Sequence, residues 1–246
     1  MKNQSLWTPS KFVLSGNQLK SNPNPDAVSV ASRLNVDLLA SALQTAVTKN
    51  ARGRLLDLGC GRVPLFGLYR NQVTEIVCVD WENSPHGADH LDYTANLNLP
   101  LDMSAGEFDT VILTDVLEHI AKPEFLLAEV RRILRREGTL IGSVPFLYRL
   151  HEEPHDHFRY TIHTLSRLAV EAGFEVEVLQ AYGQGTDVLF DTLGKLLLEV
   201  HWRLGPVLAS WTQRAGLWAR QSHLGVKINA RQQAMPIGYI FVWRHV

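Results

Sequence analysis

The sequence predicts an α/β fold in which a doubly wound, mostly parallel sheet is covered by helices. Short and nearly continuous apolar runs recur between residues 54 and 145, as expected for strands that are buried on both faces. Stretches with helical apolar spacing separate these runs, which gives the β-α alternation of an open sheet. The first run ends in Gly59 and Gly61, and Pro64 follows where a helix would begin.

Each predicted element follows from its local pattern. Residues 1–25 mix prolines, glycine and polar residues and are predicted to form an irregular arm. Asp26 is expected to cap a helix over 27–49 whose apolar stripe covers the sheet. The predicted strands are 54–58, 75–80, 89–93, 108–115, 139–145, 174–179 and 237–244, and further helices are predicted over 123–136 and 164–173.

The composition indicates one decorated domain. A chain of 246 residues with a formal charge of −1 can bury a sizeable core and has no overall charge that would recruit nucleic acid. Cys60 and Cys78 are too few for a disulfide or metal framework and are expected to be reduced thiols. Since no signal segment and no membrane-spanning apolar run is seen, we expect a soluble cytoplasmic protein. We divide it into an arm and helix, a cofactor-binding core, a helical insertion and a last strand: 1–50, 51–181, 182–229 and 230–246.

The turn after the first strand predicts the chemical nature of a ligand. A dinucleotide fingerprint needs a third glycine where Pro64 stands, and a phosphate-binding P-loop needs a Gly-Lys-Ser/Thr ending that is absent. Asp57 lies two residues before Gly59, where a carboxylate suits an ammonium group better than a pyrophosphate. S-adenosylmethionine, with an amino acid, a sulfonium and an adenosine, fits this turn. The alternative is a structural β–α turn without a ligand.

The second strand also ends in an acid, Asp80, 21 residues after Gly59. In open α/β sheets an acidic residue there accepts hydrogen bonds from ribose hydroxyls. Trp81 follows, and it either stacks on an adenine or packs on its own helix. This pair is therefore predicted to hold the nucleoside part of the ligand.

Several motifs together resemble the class I S-adenosylmethionine-dependent methyltransferases. Within them the chain is most similar to bacterial methyltransferase type 11-like proteins associated with glycan and polysaccharide pathways. The resemblance covers roughly residues 53–181 and rests on the combination of several motifs. The motifs are Leu55 to Gly61, Val79-Asp80-Trp81, Leu99-Pro100-Leu101 before Phe108-Asp109, Asp115 to Ile120, Pro145 to Thr161 and Glu171 to Phe174.

The resemblance implies a Rossmann-like seven-stranded sheet with an antiparallel last strand, and it implies roles for individual residues. Gly59 and Gly61 would lie under the amino acid and ribose of the cofactor, and Asp80 would hold the ribose hydroxyls. Asp115 with His119 would border the site after the fourth strand. Asn96 stands where the family carries an acid that accepts from the adenine amino group, and its amide oxygen can still accept.

The loop over residues 150–161 is predicted to bind the acceptor and to take its proton. A neutral imidazole suits proton removal from a hydroxyl, so His155 beside Asp156 is the candidate general base. Asp156 would orient an imidazole or bind a substrate hydroxyl, whereas His151, Arg159 and Tyr160 would bind the acceptor. The alternative is that these side chains only hold the loop together.

We expect no metal site in this loop, although it contains three histidines within seven residues. Its possible ligands are contiguous in a proline-interrupted loop, without a helical His-x-x-x-His support. The sequence shows no second contributor elsewhere in the chain.

Residues 187–222 form the most unusual stretch. Five charged side chains recur every fourth residue on one narrow stripe, Asp187, Asp191, Lys195, Glu199 and Arg203, and nearly everything else up to residue 204 is apolar. Trp211 and Trp218 follow, near Arg214 and Arg220. This stretch is predicted to be a helical hairpin packed on the domain or on a second subunit in a homodimer. The alternative is a peripheral membrane contact.

The predicted function is methyl transfer from S-adenosylmethionine to an oxygen, on a sugar, a glycan or another small hydroxylated acceptor. A catalytically silent S-adenosylmethionine-binding subunit that regulates a partner enzyme is the first alternative. A nicotinamide-dependent oxidoreductase is the second.

Overall fold

The first residues form a small folded unit, where the sequence predicts an irregular arm. The computed structural model describes residues 1–84 and 87–246. A 3-10 turn, Gln4–Leu6, precedes a hairpin of strands β1 (Phe12–Ser15) and β2 (Gln18–Ser21). Phe12 and Leu19 are buried in this hairpin. Its stability comes from contacts with distant residues, which local composition does not reveal.

The hairpin packs on helix α1 (Arg33–Asn50). The backbone N–H groups of Leu19 and Ser21 donate to the side chains of Gln44 and Asp37 at 2.8 and 2.7 Å. The helix begins at Arg33, later than predicted, because the carbonyl of Asn24 accepts from the two following turn residues, Ala27 and Val28. Asp26 is therefore not the helix cap.

Within the described ranges, seven strands form one sheet in the order β5-β4-β3-β6-β7-β9-β8. The strands are β3 (Arg54–Leu58), β4 (Glu75–Asp80), β5 (Tyr93–Thr94), β6 (Phe108–Thr114), β7 (Leu134–Pro145), β8 (Phe174–Tyr182) and β9 (Gly238–His245). Strand β9 runs antiparallel to both of its neighbours, whereas the other pairs are parallel. The predicted α/β class and the antiparallel last strand are confirmed.

Helices cover both faces of this sheet, as a doubly wound fold requires. Helix α1 and the single turn α2 (Phe66–Tyr69) pack on one face. Helices α3 (Pro123–Ile133) and α4 (Ile162–Glu171) pack on the other face. Each layer has its own apolar core, so the sheet is buried on both sides and its carboxyl edge is the open end.

Two strand boundaries differ from the sequence-based prediction. Helix α3 ends at Ile133, since Leu134 already pairs with Phe108 in the sheet and the Arg135 guanidinium lies 2.7 Å from the Asp109 carboxylate. Strand β5 contains only Tyr93–Thr94, because the residues before it form a turn closed by Leu91 N–H and the Ala88 carbonyl.

The insertion before β9 consists of α5 (Thr186–Leu198), α6 (Leu204–Gln221) and α7 (His223–Arg231). The hairpin packs on the domain, where the Gln213 side chain accepts from Leu34 N–H at 2.8 Å. The charged stripe of α5 points inward: Asp187 and Asp191 are each 2% exposed, paired with Arg220 and Lys195. Among the described residues, no helix is both long and apolar enough to cross a membrane.

Candidate active site

The glycine turn that follows β3 is fixed by its backbone geometry. Gly59 and Gly61 have φ angles of 72° and 52°, a region that side chains rarely adopt. Gly59 N–H donates to the carbonyl of Val79 at 2.8 Å, which ties the turn to β4. A Cβ atom on Gly59 would lie 2.5 Å from Cγ2 of Val116. The turn therefore has no room for a side chain at Gly59.

Asp80 lies directly beside this turn. Its carboxylate accepts from the backbone N–H of Gly61 at 2.9 Å and of Trp81 at 2.8 Å, and from the Ser84 hydroxyl at 3.0 Å. These donors hold the carboxylate at the carboxyl end of β4. The predicted ribose acceptor is therefore next to the turn that would carry the amino acid part.

Asp57 is a buried carboxyl group close to the same turn. Burial raises the pKa of Asp57 to about 7, although the Tyr69 hydroxyl donates to it at 2.7 Å, and the charge of Asp80 adds to the increase. A buried carboxyl group with a raised pKa is stabilised in its ionised form by a nearby cation. An ammonium group beside Asp57 would therefore lower its pKa again, as the sequence-based prediction requires.

A cavity of about 600 Å³ opens beside the glycine turn. Its wall combines Gly61 and Arg62 with residues of the N-terminal unit, among them Thr8, Pro9, Ser10, Asn22 and Asn24. Its volume is within the usual range for small-molecule sites. Of the predicted cofactor residues, only Gly61 lines this cavity, and Asp80 lies behind it, joined to the Gly61 N–H.

Asp115 follows β6 with a φ angle of 53° and is held by two side chains. Lys11 Nζ lies 2.7 Å from one carboxylate oxygen, and the Ser143 hydroxyl donates to the other at 2.7 Å. Burial alone would raise the pKa of Asp115, but Lys11 and Ser143 outweigh it and the pKa is lowered. The sequence reading missed Lys11, because nothing in its local pattern indicates that the N-terminal unit reaches this edge.

Three side chains from two segments meet at the loop that the sequence predicts to bind the acceptor. Glu118 and His119 belong to the 3-10 turn Leu117–His119, and His151 comes from the loop after β7. One carboxylate oxygen of Glu118 lies 3.8 Å from Nε2 of His119 and 3.8 Å from Nε2 of His151. The two imidazole centroids are 4.8 Å apart. Glu118 and His119 are thus possible metal ligands from outside the loop, which the sequence did not reveal.

Asp156 contacts His151 and Arg159. Its carboxylate lies 3.2 Å from His151 Nδ1 and accepts two hydrogen bonds from the Arg159 guanidinium, at 2.5 and 2.7 Å. The hydrogen bonds from Arg159 hold the pKa of Asp156 well below its usual range. Burial by itself would lower the pKa of His151, but Glu118 and Asp156 outweigh it and the pKa is raised.

The remaining predicted residues are placed as follows. His155 is exposed, and its ring lies 5.3 Å from that of Trp81 at the cofactor side. The Tyr160 hydroxyl is buried and donates to the Leu117 carbonyl at 3.0 Å, so this side chain anchors the loop. Asn96 is exposed, and its amide oxygen accepts from Asn98 N–H at 3.0 Å.

A second cleft, of about 590 Å³, lies between residues 146–149 and α5. Tyr148 contributes an aromatic wall, with Lys195 Nζ 4.1 Å from its ring centroid. The cleft begins at the strand that carries the histidine loop. No described histidine lines it, but the ring centroid of Tyr148 lies 5.3 Å from that of His151.

Comparison with known proteins shows the family to which this chain belongs. The family described as Methyltransferase domain matches residues 31–179. No curated protein matches the chain.

Solved structures share the fold at low identity. A SAM-dependent methyltransferase from Archaeoglobus fulgidus is 14% identical over 82% of this chain and 93% of its own, with a TM-score of 0.52. A chain from the complex between the Haloferax volcanii Trm112 methyltransferase activator and the putative methyltransferase is 17% identical over 87% of this chain and 93% of its own, with a TM-score of 0.53. The [4+2]-cyclase SpnF is 18% identical over 84% of this chain and 81% of its own, with a TM-score of 0.52. At these identities the likeness shows the fold alone.

Proposed function

Since this chain belongs to the methyltransferase-domain family and uses S-adenosylmethionine, we propose that it methylates an oxygen of a small hydroxylated acceptor such as a sugar or glycan. In this reaction the acceptor oxygen forms a bond to the methyl carbon while the carbon–sulfur bond breaks. The hydroxyl proton leaves to a base. Aligning the acceptor oxygen with the methyl carbon and sulfur supplies much of the acceleration.

The observation that carries this proposal is the group of imidazoles at the carboxyl edge of the sheet. His119, His151 and His155 lie around the loop that follows β7. A hydroxyl acceptor needs a proton acceptor when it is methylated, and imidazole is suited to that at neutral pH. The cleft at Tyr148 adds an aromatic wall that suits the apolar face of a sugar ring.

His155 is the proposed base because its ring is exposed beside Trp81, next to the acid that would hold the ribose. Asp156 is a positioning residue for the loop, since its carboxylate contacts His151 and Arg159. Arg159 also donates to the carbonyls of Phe158 and Arg149 at 2.9 and 3.1 Å. These contacts fix the backbone around His155.

The test is turnover with a panel of sugars and glycans, measured as the release of S-adenosylhomocysteine. His155→Ala should lower kcat by about 10²–10⁴-fold, the usual value of a positioned general base. His163→Ala, an exposed histidine in α4, is the matched control. Unchanged turnover in His155→Ala would remove His155 as the base.

The alternative is a silent S-adenosylmethionine-binding subunit that regulates a partner enzyme. One similar structure is a complex that contains a methyltransferase activator, so partner binding occurs on this fold. Wild-type protein that binds S-adenosylmethionine by calorimetry but methylates no member of the panel would favour this alternative.

We further propose that the α5–α6 hairpin contacts an anionic lipid surface and brings the enzyme to a lipid-linked acceptor. Trp202, Trp211 and Trp218 are 75%, 68% and 75% exposed. From 186 to 221 the chain has four lysines and arginines and three acidic residues, of which Asp187 and Asp191 are buried and Glu199 remains exposed. Exposed tryptophans with nearby basic residues are typical of interfacial helices.

Sedimentation with phosphatidylglycerol vesicles tests this contact. Trp211→Ser/Trp218→Ser should leave most of the protein in the supernatant, whereas Leu14→Ser, an exposed apolar residue of β1, should sediment like the parent. Equal sedimentation of the double variant and the parent would contradict a lipid contact. A parent dimer in solution that the double variant loses would identify a second copy as the occupant.

A further inference from the structure

We propose that Glu118, His119 and His151 form a binding site for a divalent transition-metal ion, with Zn²⁺ the best chemical match. Two imidazoles and one carboxylate are a common donor set for zinc that keeps an open position. One potential ligand atom from each of the three side chains lies within 4.8 Å of the other two. The ligands come from two chain segments, which gives the site a rigid base beside β6 and a second arm in the loop.

The buried carboxylate of Glu118 is the first observation that indicates a cation. Glu118 is 0% exposed, and neither of its carboxylate oxygens has a hydrogen-bond partner within the described residues. Burying a carboxylate without partners is costly, and native structures resolve it by pairing or by a metal ion. A cation between Glu118 and the two imidazoles supplies that partner.

The orientation of the two imidazoles is the second observation. Nε2 of each ring faces Glu118, while Nδ1 is turned to an outer acceptor. His151 Nδ1 lies 3.2 Å from the Asp156 carboxylate, and His119 Nδ1 lies 3.1 Å from the His155 carbonyl. Metal-binding histidines use their second nitrogen as His119 does, donating to a carboxylate or a backbone carbonyl. His151 Nδ1 is close to Asp156 but makes no hydrogen bond within the described part of the chain.

The distances within the cluster suit an ion better than direct hydrogen bonding. The carboxylate oxygen of Glu118 is 3.8 Å from both Nε2 atoms, beyond hydrogen-bond length. Ligands with zinc bonds of about 2.0–2.1 Å lie closer together than this, so small rotations would complete the shell. Glu152 lies 3.9 Å from His119 Nε2 on the side that opens to solvent. An acceptor or water would enter from there.

A role for the ion in the reaction rests on the proposed function, whereas the binding site itself does not. An acceptor hydroxyl coordinated in the open position would lose its proton more readily, because the cation stabilises the alkoxide. His155 is outside the three ligands and remains available to take that proton.

Metal binding to the full-length protein tests the site directly. Metal-free protein is titrated with Co²⁺ alone, followed by visible absorption, and Zn²⁺ is then added as a competitor. We expect one Co²⁺ per chain, displaced by Zn²⁺. His119→Ala and His151→Ala should each weaken binding by more than about a hundredfold, since outer partners alone contribute about 10–100-fold.

The matched control is His157→Ala, an exposed histidine of the same loop, which should bind like the parent. Glu118→Gln keeps the shape of the buried side chain and should also bind weakly, with folding checked by thermal unfolding. The proposal would be overturned if the parent binds no Co²⁺, or if His119→Ala and His151→Ala bind Co²⁺ as tightly as the parent. Turnover with the sugar and glycan panel on the same samples reports the proposed function separately.

Discussion

The cofactor side and the acceptor side of this molecule are built by different means. On the cofactor side, backbone positions define the shape: two glycines with positive φ and the ends of two adjacent strands. On the proposed acceptor side, side chains from separate segments define the shape: Glu118 and His151 approach each other, and Asp156 accepts two hydrogen bonds from Arg159. The first arrangement follows from local sequence, whereas the second exists only after the chain has folded.

The largest expected effect tests the backbone side. Gly59→Ala should lower the free energy of unfolding by about 3 kcal/mol, since it combines an unfavourable φ with overpacking. The added Cβ would lie 2.5 Å from Val116 Cγ2. Urea unfolding measures this, and calorimetry should show loss of S-adenosylmethionine binding.

Gly106→Ala is the matched control, because Gly106 has a φ angle of 64° and open space around its Cβ position. It should cost about 1 kcal/mol, from the backbone alone. Equal losses in the two glycine variants would show that the close approach of Val116 does not matter.

The second effect tests the side-chain arrangement. Asp156→Ala should lower the free energy of unfolding by about 2 kcal/mol, because it leaves the Arg159 guanidinium without its carboxylate. Urea unfolding of Asp156→Ala, Arg159→Ala and the double variant forms a double-mutant cycle that measures the pair. The affinity for S-adenosylmethionine should stay within about twofold of the parent. A large loss of cofactor binding would show that the two sides are not independent.

A third prediction concerns pH and Asp57. Its pKa is about 7 in the folded protein and near its model-peptide value of about 3.9 when unfolded. The unfolded state therefore binds fewer protons between these values, and stability should fall as pH rises from 4 to 7, by at most about 1.4 kcal/mol per pH unit. Asp57→Asn should lack this fall in urea unfolding at pH 5 and 8.

S-adenosylmethionine binding should show the reverse trend. If its ammonium group meets ionised Asp57, affinity rises with pH up to about 7, by at most about tenfold per unit. Tyr69→Phe removes the hydrogen bond that favours the ionised form and should move the midpoint to higher pH. A flat affinity profile in the parent would place the ammonium group elsewhere.

The smallest effect concerns the ion pair that joins the N-terminal unit to Asp115. Lys11→Met should cost less than about 1 kcal/mol in urea unfolding, because the Lys11 side chain is 36% exposed and such pairs are screened. Lys20→Met, on an exposed position of the same hairpin, is the control. A loss of several kcal/mol would show that this unit is a structural part of the core.

The sheet could be predicted, and residues for the proposed cofactor side could be chosen, because their signals are local. Apolar runs, paired glycines and strand-end acids each report on a few neighbouring residues, as at 54–61 and 75–80. For the proposed acceptor side, the sequence indicated the types of residue involved but not which side chains contact each other. Asp156 follows His155 in the chain, yet in the fold its carboxylate lies beside the imidazole of His151. The burial of Glu118 and the reach of Lys11 depend on contacts between distant segments, which no local pattern contains.

The N-terminal unit has a consequence for ligand exchange. Thr8 to Ser10 and Asn22 form one wall of the cavity beside the glycine turn, yet none of them belongs to the seven-stranded sheet. The wall is joined to the domain by the Trp7 indole N–H, which donates to the Val63 carbonyl at 3.1 Å, and by the ion pair of Lys11 with Asp115. Neither contact belongs to the strand pairing of the sheet, so we expect substitutions there to open the wall and to leave the strands paired. The rate at which the used cofactor leaves is then expected to respond to substitutions in the first 25 residues.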